Sequence, residues 1–121
     1  AGVPGLSDNI RVRSILGRFL EHSRIYAFCN DGDTDLYIGS ADLMHRNLDR
    51  RVEALVRITD PEMIERLTWL VTHAASDAVT SWWLEPDGSW VRHVTGPDGE
   101  RLEDIQTTLM ARARARVKSR D

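Results

Sequence analysis

Apolar residues recur along this chain with two different periods, and the switches between them mark out its elements. Ile10, Ile15, Leu16, Phe19 and Leu20 fall on one helical face behind Ser7 and Asp8, either of which is a good N-cap, so a helix is expected over about 8–20. Arg24 to Cys29 and Leu36 to Gly39 are short runs rich in β-formers, and the turn residues Asn30-Asp31-Gly32-Asp33 between them predict a hairpin. Ala41 to Asn47 reads as a short helical turn, and Val52 to Ile58 as a third strand. Asp60-Pro61-Glu62 combines a cap, a proline at the first helical position and an acid at the positive end of the helix dipole. Met63, Ile64, Leu67, Leu70, Val71 and Ala74 continue that helix on one face to about residue 76.

Beyond it, Trp82 to Leu84 and Ser89 to His93 flank Glu85-Pro86-Asp87-Gly88, a second hairpin of shorter strands. Gly96-Pro97-Asp98-Gly99 is another turn. Leu102, Ile105, Leu109, Met110 and Ala113 then make a C-terminal amphipathic helix that frays into an arginine-rich tail ending near Arg120. The aromatic cluster Trp82, Trp83 and Trp90 reads as structural, and no repeat, linker or domain boundary is expected. The pattern is that of a mixed α/β chain.

Composition narrows the class. With 121 residues, 41% hydrophobic and 29% charged, the chain can bury one core and does not read as disordered. No apolar run approaches the roughly 20 residues of a membrane helix, and Ala1-Gly2-Val3-Pro4-Gly5 has no signal-peptide character. The chain starts without methionine, which suits processing, an excised fragment or an expression remnant. The single Cys29 excludes an internal disulfide and fits a reducing compartment.

The net charge of −3 argues against whole-domain affinity for a polyanion, but it hides three arginine clusters. These are Arg11, Arg13, Arg18 and Arg24; Arg46, Arg50, Arg51 and Arg57; and Arg112, Arg114, Arg116 and Arg120. A guanidinium is a planar fork suited to phosphate oxygens, although a solvated charged face is the ordinary role of such residues.

Several chemistries are excluded. There is no Gly-rich loop ending in Lys-Ser/Thr, no dinucleotide fingerprint, no Gly-x-Ser-x-Gly elbow, and the four histidines lie far apart. What remains lies between Glu21 and Glu53. His22-Ser23-Arg24 opens a strand and Gly39-Ser40-Ala41-Asp42 closes its partner, which resembles the His-x-Lys … Gly-Ser-x-Asn arrangement of the phospholipase D superfamily. There a histidine attacks or protonates a phosphoryl group while a cation and small polar groups hold its oxygens. The departures are Arg24 for the lysine, Cys29 at the aspartate position, Asp42 for the asparagine, and a Gly-Ser pair a few residues late. A phosphodiesterase also needs a histidine pair, whereas this chain carries one degenerate copy.

A closer resemblance covers residues 3–58. Leu6-Ser7-Asp8-Asn9-Ile10-Arg11, Arg18-Phe19-Leu20-Glu21-His22-Ser23-Arg24, and the run from Ile38 to Glu53 that holds Gly39-Ser40-Ala41-Asp42 and Arg46-Asn47-Leu48-Asp49-Arg50-Arg51 are similar to consecutive signatures of polyphosphate kinase. They belong to the second of its two phospholipase D-like C-terminal domains. Farther on, Trp83-Leu84-Glu85-Pro86-Asp87-Gly88 resembles one branch of that family. The resemblance implies an α/β, phospholipase D-like mixed sheet with flanking helices, incomplete because the first part of the domain precedes Val3. An exposed sheet edge or apolar face is then expected.

The activity implied is reversible transfer of the terminal phosphate of ATP to polyphosphate through a phosphohistidine. In the family that histidine, and the arginines tied to Mg2+, lie in the preceding domain, outside this chain; a further phosphate-binding arginine would precede Val3. Within the chain, His22 matches the second active-site histidine, beside the nucleotide phosphates, proposed as the acid that assists the leaving group. Arg51 matches an arginine that contacts those phosphates, its bland alternative being a charge partner of Asp49 or Glu53. His45, His73 and His93 read as surface or packing residues.

The implied partners are ATP or ADP, inorganic polyphosphate and the remainder of the kinase chain, in a homo-oligomeric parent, with no nucleic acid and no transmembrane segment. The implied location is cytoplasmic, with peripheral membrane association open to the parent enzyme. The competing reading is a non-catalytic module that binds polyphosphate or a protein partner.

Overall fold

A computed structural model of the chain describes residues 1–118, so Arg120 lies outside the described residues. The elements are β1 (Arg13–Ser14), β2 (Ile25–Asn30), β3 (Asp33–Gly39), α1 (His45–Asp49), β4 (Leu55–Ile58), α2 (Pro61–Ala74), β5 (Ser81–Leu84), β6 (Trp90–His93) and α3 (Ile105–Lys118). The strands form two three-stranded sheets, ordered β1-β5-β6 and β2-β3-β4, and every pairing within them is antiparallel. The mixed α/β class is therefore observed. Where no domain boundary is expected from the sequence, the chain divides into two compact units, one of Ala1–Leu20 with the chain from Ala74 on, the other of Glu21–His73.

The second unit follows its local signals. The β2–β3 turn has Asp31 at φ 48° and Gly32 at φ 98°, the two left-handed residues that a two-residue hairpin loop requires. That turn fixes the register Ile25↔Ile38 and Ala27↔Leu36, and β4 adds Val56 and Ile58 opposite Ile38 and Leu36. Paired residues share a face, so Ile25, Ala27, Leu36, Ile38, Val56 and Ile58 make one apolar surface, with Leu36 fully buried within it. α2 begins as its sequence predicts, with the Asp60 carboxylate accepting the Met63 N–H at 2.9 Å. The edge strand β4 is shorter than expected, and its Leu55 and Val56 remain more than half exposed.

The other unit holds Val79 and Ile105 in its core. Ser81 is buried beside them, accepting the Trp83 indole N–H at 2.9 Å and donating to the Val79 carbonyl at 3.1 Å. Trp83 stacks on His93 with ring centroids 3.9 Å apart, and the Arg13 guanidinium lies 4.2 Å above the indole. Trp83 thus packs against charged and aromatic neighbours, whereas Trp90 of the same cluster is exposed. α3 starts on an Asp104 cap, and its last residues, including Arg112, Arg114 and Arg116, stay helical and exposed rather than fraying.

The expected helix over 8–20 does not form. Ser7 and Asp8 cap a tight turn that precedes them instead, accepting the backbone N–H groups of Val3 and Gly5. Arg13 and Ser14 pair with Trp83 and Trp82 as β1. Leu16 and Leu20, on the supposed apolar face, are exposed, so a helix there would bury little. Gly17 weakens a helix further, and its missing Cβ leaves room for the Gln106 side chain, which bonds both the N–H and the carbonyl of Phe19 at 2.9 and 2.8 Å. Sheet pairing outweighs an amphipathic pattern that has nothing to pack against.

Candidate active site

One end of the Glu21–His73 unit gathers the residues singled out in the sequence. The Gly39 N–H donates to the Arg24 carbonyl at 3.2 Å, so the His22-Ser23-Arg24 entry to β2 lies beside the Gly39-Ser40 exit from β3. A Cβ on Gly39 would sit 2.6 Å from the Ala54 carbonyl oxygen, so a residue without a side chain is required where β4 approaches. The loop that follows is pinned by the Tyr26 hydroxyl, which donates to the Ala41 carbonyl at 2.7 Å.

A continuous polar chain runs through this end. Arg24 donates from Nη1 to the His22 carbonyl at 2.7 Å and from Nη2 to Asp42 Oδ2 at 2.8 Å. The other oxygen, Asp42 Oδ1, accepts the Met44 N–H at 3.0 Å and the side-chain amide of Asn47. Asn47, only 6% exposed, uses its own Oδ1 to accept from Arg51 Nη1 at 3.3 Å. Arg51 Nη1 also lies 4.0 Å from Glu53 Oε1, and the second Glu53 oxygen accepts the Ser40 hydroxyl. The Arg24 hydrogen bond, helped by those from Met44 and Asn47, holds the Asp42 carboxyl below the usual carboxylate range against an opposing effect of burial.

His22 and Arg51 are both exposed, and this chain of bonds links the backbone of one to the guanidinium of the other. Arg51 has Glu53 near it, as its bland reading allows, whereas Asp49 pairs with His45 at 2.8 Å. Arg57 pairs with Asp35 within the sheet. His73 stacks on Trp69 at 4.8 Å. Sequence reasoning gave Asn47 no role; it sits on α1, and its partner Arg51 lies just past the C-cap Arg50, four residues on. It noted Asp42 as a departure from the phospholipase D pattern and within a kinase signature, and gave it no role.

Next to this polar end, Ser23, Arg24, Ile25, Ile38, Gly39, Ser40, Ala54, Val56, Leu67 and Leu70 line a cleft of about 510 Å³. Its lining combines the polar Ser23, Arg24 and Ser40 with Ile25, Ile38 and Val56 of the sheet and Leu67 and Leu70 of α2. Among the described residues no three His, Cys, Asp or Glu side chains converge as a metal-binding group, and no helix is long and apolar enough to cross a membrane.

The two antiparallel sheets and their helices define a mixed α/β protein, and comparison with known proteins identifies which one it resembles. The sequence model of the family described as polyphosphate kinase C-terminal domain 2 matches residues 1–104. A polyphosphate kinase of Streptomyces coelicolor is 58% identical over 115 residues, which are 95% of this chain and 15% of that protein. One from Mycobacterium avium is 49% identical over 114 residues, 94% of this chain and 15% of its own length. The crystal structure of polyphosphate kinase from Porphyromonas gingivalis superposes with a TM-score of 0.79 at 26% identity, covering 93% of this chain and 17% of that one. The fold is phospholipase D-like, and the chain belongs to the polyphosphate kinase family. It spans about 15% of the length of the curated relatives it matches.

Proposed function

We propose that this chain supplies part of the ATP-phosphate pocket of a larger polyphosphate kinase, in which it forms the C-terminal part of the second phospholipase D-like domain. The parent enzyme reversibly moves the terminal phosphoryl group of ATP to polyphosphate through a phosphohistidine carried elsewhere in the protein. The observation that carries this reading is the hydrogen-bonded chain from the His22 backbone through Arg24, Asp42 and Asn47 to Arg51, in a member of that family.

The chemistry asked of these residues is modest. Phosphoryl transfer depends on positioning and on neutralising the charge of the phosphate oxygens. Arg51 presents an exposed guanidinium, a shape that binds two phosphate oxygens at once. When the bond between the terminal phosphorus and its bridging oxygen breaks, the His22 imidazole gives that oxygen a proton, and it takes the proton back in the reverse direction. An imidazole with a reference pKa of about 6.5 can do either near neutral pH. Mg2+, which the family resemblance implies for the parent, finds no cluster of three His, Cys, Asp or Glu side chains among the described residues.

The exposed apolar side chains of Leu55 and Val56 on the β4 edge fit a chain whose remaining partner surface belongs to the rest of the kinase. A second reading, a non-catalytic polyphosphate-binding module, is favoured by the exposed cationic end of α3, where Arg112, Arg114, Arg116 and Lys118 follow one another. One experiment separates the two. The purified 121-residue chain is expected to make no polyphosphate from ATP, and measurable synthesis overturns the pocket-fragment reading. Retention of polyphosphate by the isolated chain, with affinity falling steeply as salt rises, favours the binding module.

A further inference from the structure

Arg24 and Asp42 stand where the phospholipase D pattern has lysine and asparagine, and the paired change alters what the cation can do. Lysine with asparagine carries one net positive charge, whereas arginine with aspartate carries none. The guanidinium is also oriented by two bonds, one from each terminal nitrogen: Nη1 holds the His22 carbonyl at 2.7 Å and Nη2 holds Asp42 at 2.8 Å. An ammonium is a point donor and does not span two acceptors in one rigid plane. Asp42 is equally committed, because its second oxygen serves the Met44 N–H and Asn47, and Asn47 in turn serves Arg51. Both side chains of the pair are about three-quarters buried, at 24% and 25% exposure. A phosphate reaching Arg24 would meet a largely buried cation whose charge Asp42 already pairs.

We infer that Arg24 and Asp42 are positioning residues, an internal ion pair that fixes the spacing between His22 and Arg51, and that Arg24 is not itself a phosphate ligand. The inference rests on the pocket reading given above, and it extends that reading to two residues with no direct part in the chemistry. Asn47 acquires a role as well. It links the ion pair to the exposed guanidinium in the series Arg24–Asp42–Asn47–Arg51, and so transmits the position of the β2 entry to α1.

The test uses the full-length parent kinase carrying Arg24→Lys, Asp42→Asn and the double substitution, with kcat and the KM for ATP measured separately. Arg24→Lys keeps the charge and Asp42→Asn keeps the shape, so each removes the fork or the ion pair with little change in volume. The expected result is a fall in kcat of roughly ten- to a hundredfold in each single variant, with the KM for ATP changed less than threefold. Because the two residues act through each other, the double variant is expected to be no worse than the poorer single one. A rise in the KM for ATP in Arg24→Lys, with effects that multiply in the double variant, overturns the inference in favour of direct phosphate binding. Near-native kcat in both single variants overturns it as well.

Two controls keep the readout specific. Asp35→Asn disturbs a separate ion pair of this unit, with Arg57, and is expected to leave kcat unchanged; an equal loss there means that the fold, not the positioning, is being read. His22→Ala is measured in the same series. If that variant retains native turnover, the pocket reading itself fails, whereas a dead His22→Ala beside fully active ion-pair variants sinks the positioning role alone.

Discussion

Gly39→Ala perturbs the point where the fold and the candidate site meet. A Cβ on residue 39 would lie 2.6 Å from the Ala54 carbonyl oxygen and would also collide with the Leu55 side chain. A carbon ordinarily approaches a carbonyl oxygen to about 3.3 Å, so the β4 entry must retreat by roughly 0.7 Å. The obstacle is backbone, which cannot rotate away as a flexible side chain can. The retreat strains the Gly39↔Leu55 pairing and the 3.4 Å bond from Ser40 N–H to Ala54, and it carries Glu53 away from the Ser40 hydroxyl.

Overpacking of this kind costs about 1–3 kcal/mol. With a urea m-value of about 2 kcal/mol/M, a loss near the middle of that range lowers the unfolding midpoint by about 1 M. Urea titration of the 121-residue chain, followed by far-UV circular dichroism, reads this directly. Adding Leu55→Ala to Gly39→Ala removes the side-chain collision but not the carbonyl, so only part of the loss should return beyond the cost of Leu55→Ala alone. A Gly39→Ala chain that unfolds at the native midpoint, or one fully rescued by Leu55→Ala, refutes the argument that backbone approach demands glycine there.

The Asp42 carboxyl is held below its ordinary value, first by Arg24, so its folded-state pKa is depressed relative to the unfolded chain. The stability this contributes is complete above the unfolded aspartate pKa of about 3.9 and is lost as pH falls through the lower folded value. Thermal melts between neutral and strongly acid pH should therefore show a shallower acid loss in Asp42→Asn than in the native chain, and parallel curves contradict this. In the parent kinase, Arg51→Ala is expected to raise the KM for ATP roughly ten- to a hundredfold, the range set by losing one charge-assisted hydrogen bond. An unchanged KM removes Arg51 from the phosphate pocket.

The parts of the fold legible in the sequence were those that local chemistry dictates. Asp31-Gly32 and Asp87-Gly88 mark real hairpin turns, with Gly32 at φ 98° and Gly88 at φ 85°, and Asp60-Pro61 starts α2 as written. The 8–20 segment misled because its apolar spacing fits a helix, while the partner that decides its conformation, β5, lies some seventy residues downstream. The division of the chain was hidden for the same reason, since the first unit is assembled from both ends.

The site shows the same split. His22 and Arg51 stand out through their motifs, and the structure places both at one end of the Glu21–His73 unit. The connection between them runs through a loop carboxylate and a buried amide, Asp42 and Asn47. Neither has a period or spacing that announces its partners on both sides, because those partners come from the segment entering β2, from α1 and its approach, and from the loop after it. Asp42, seen in the sequence as a mismatch, is in the structure the node of the network.

The central claim is that His22 acts in phosphoryl transfer as part of a pocket completed by the rest of a polyphosphate kinase. The most direct measurement is the steady-state rate of polyphosphate synthesis from ATP by the full-length parent carrying His22→Ala, with folding confirmed by circular dichroism. Removal of a proton donor from the transition state predicts a fall in kcat of about a hundred- to ten-thousandfold with the fold intact. Synthesis at the native rate by a folded His22→Ala enzyme contradicts the account.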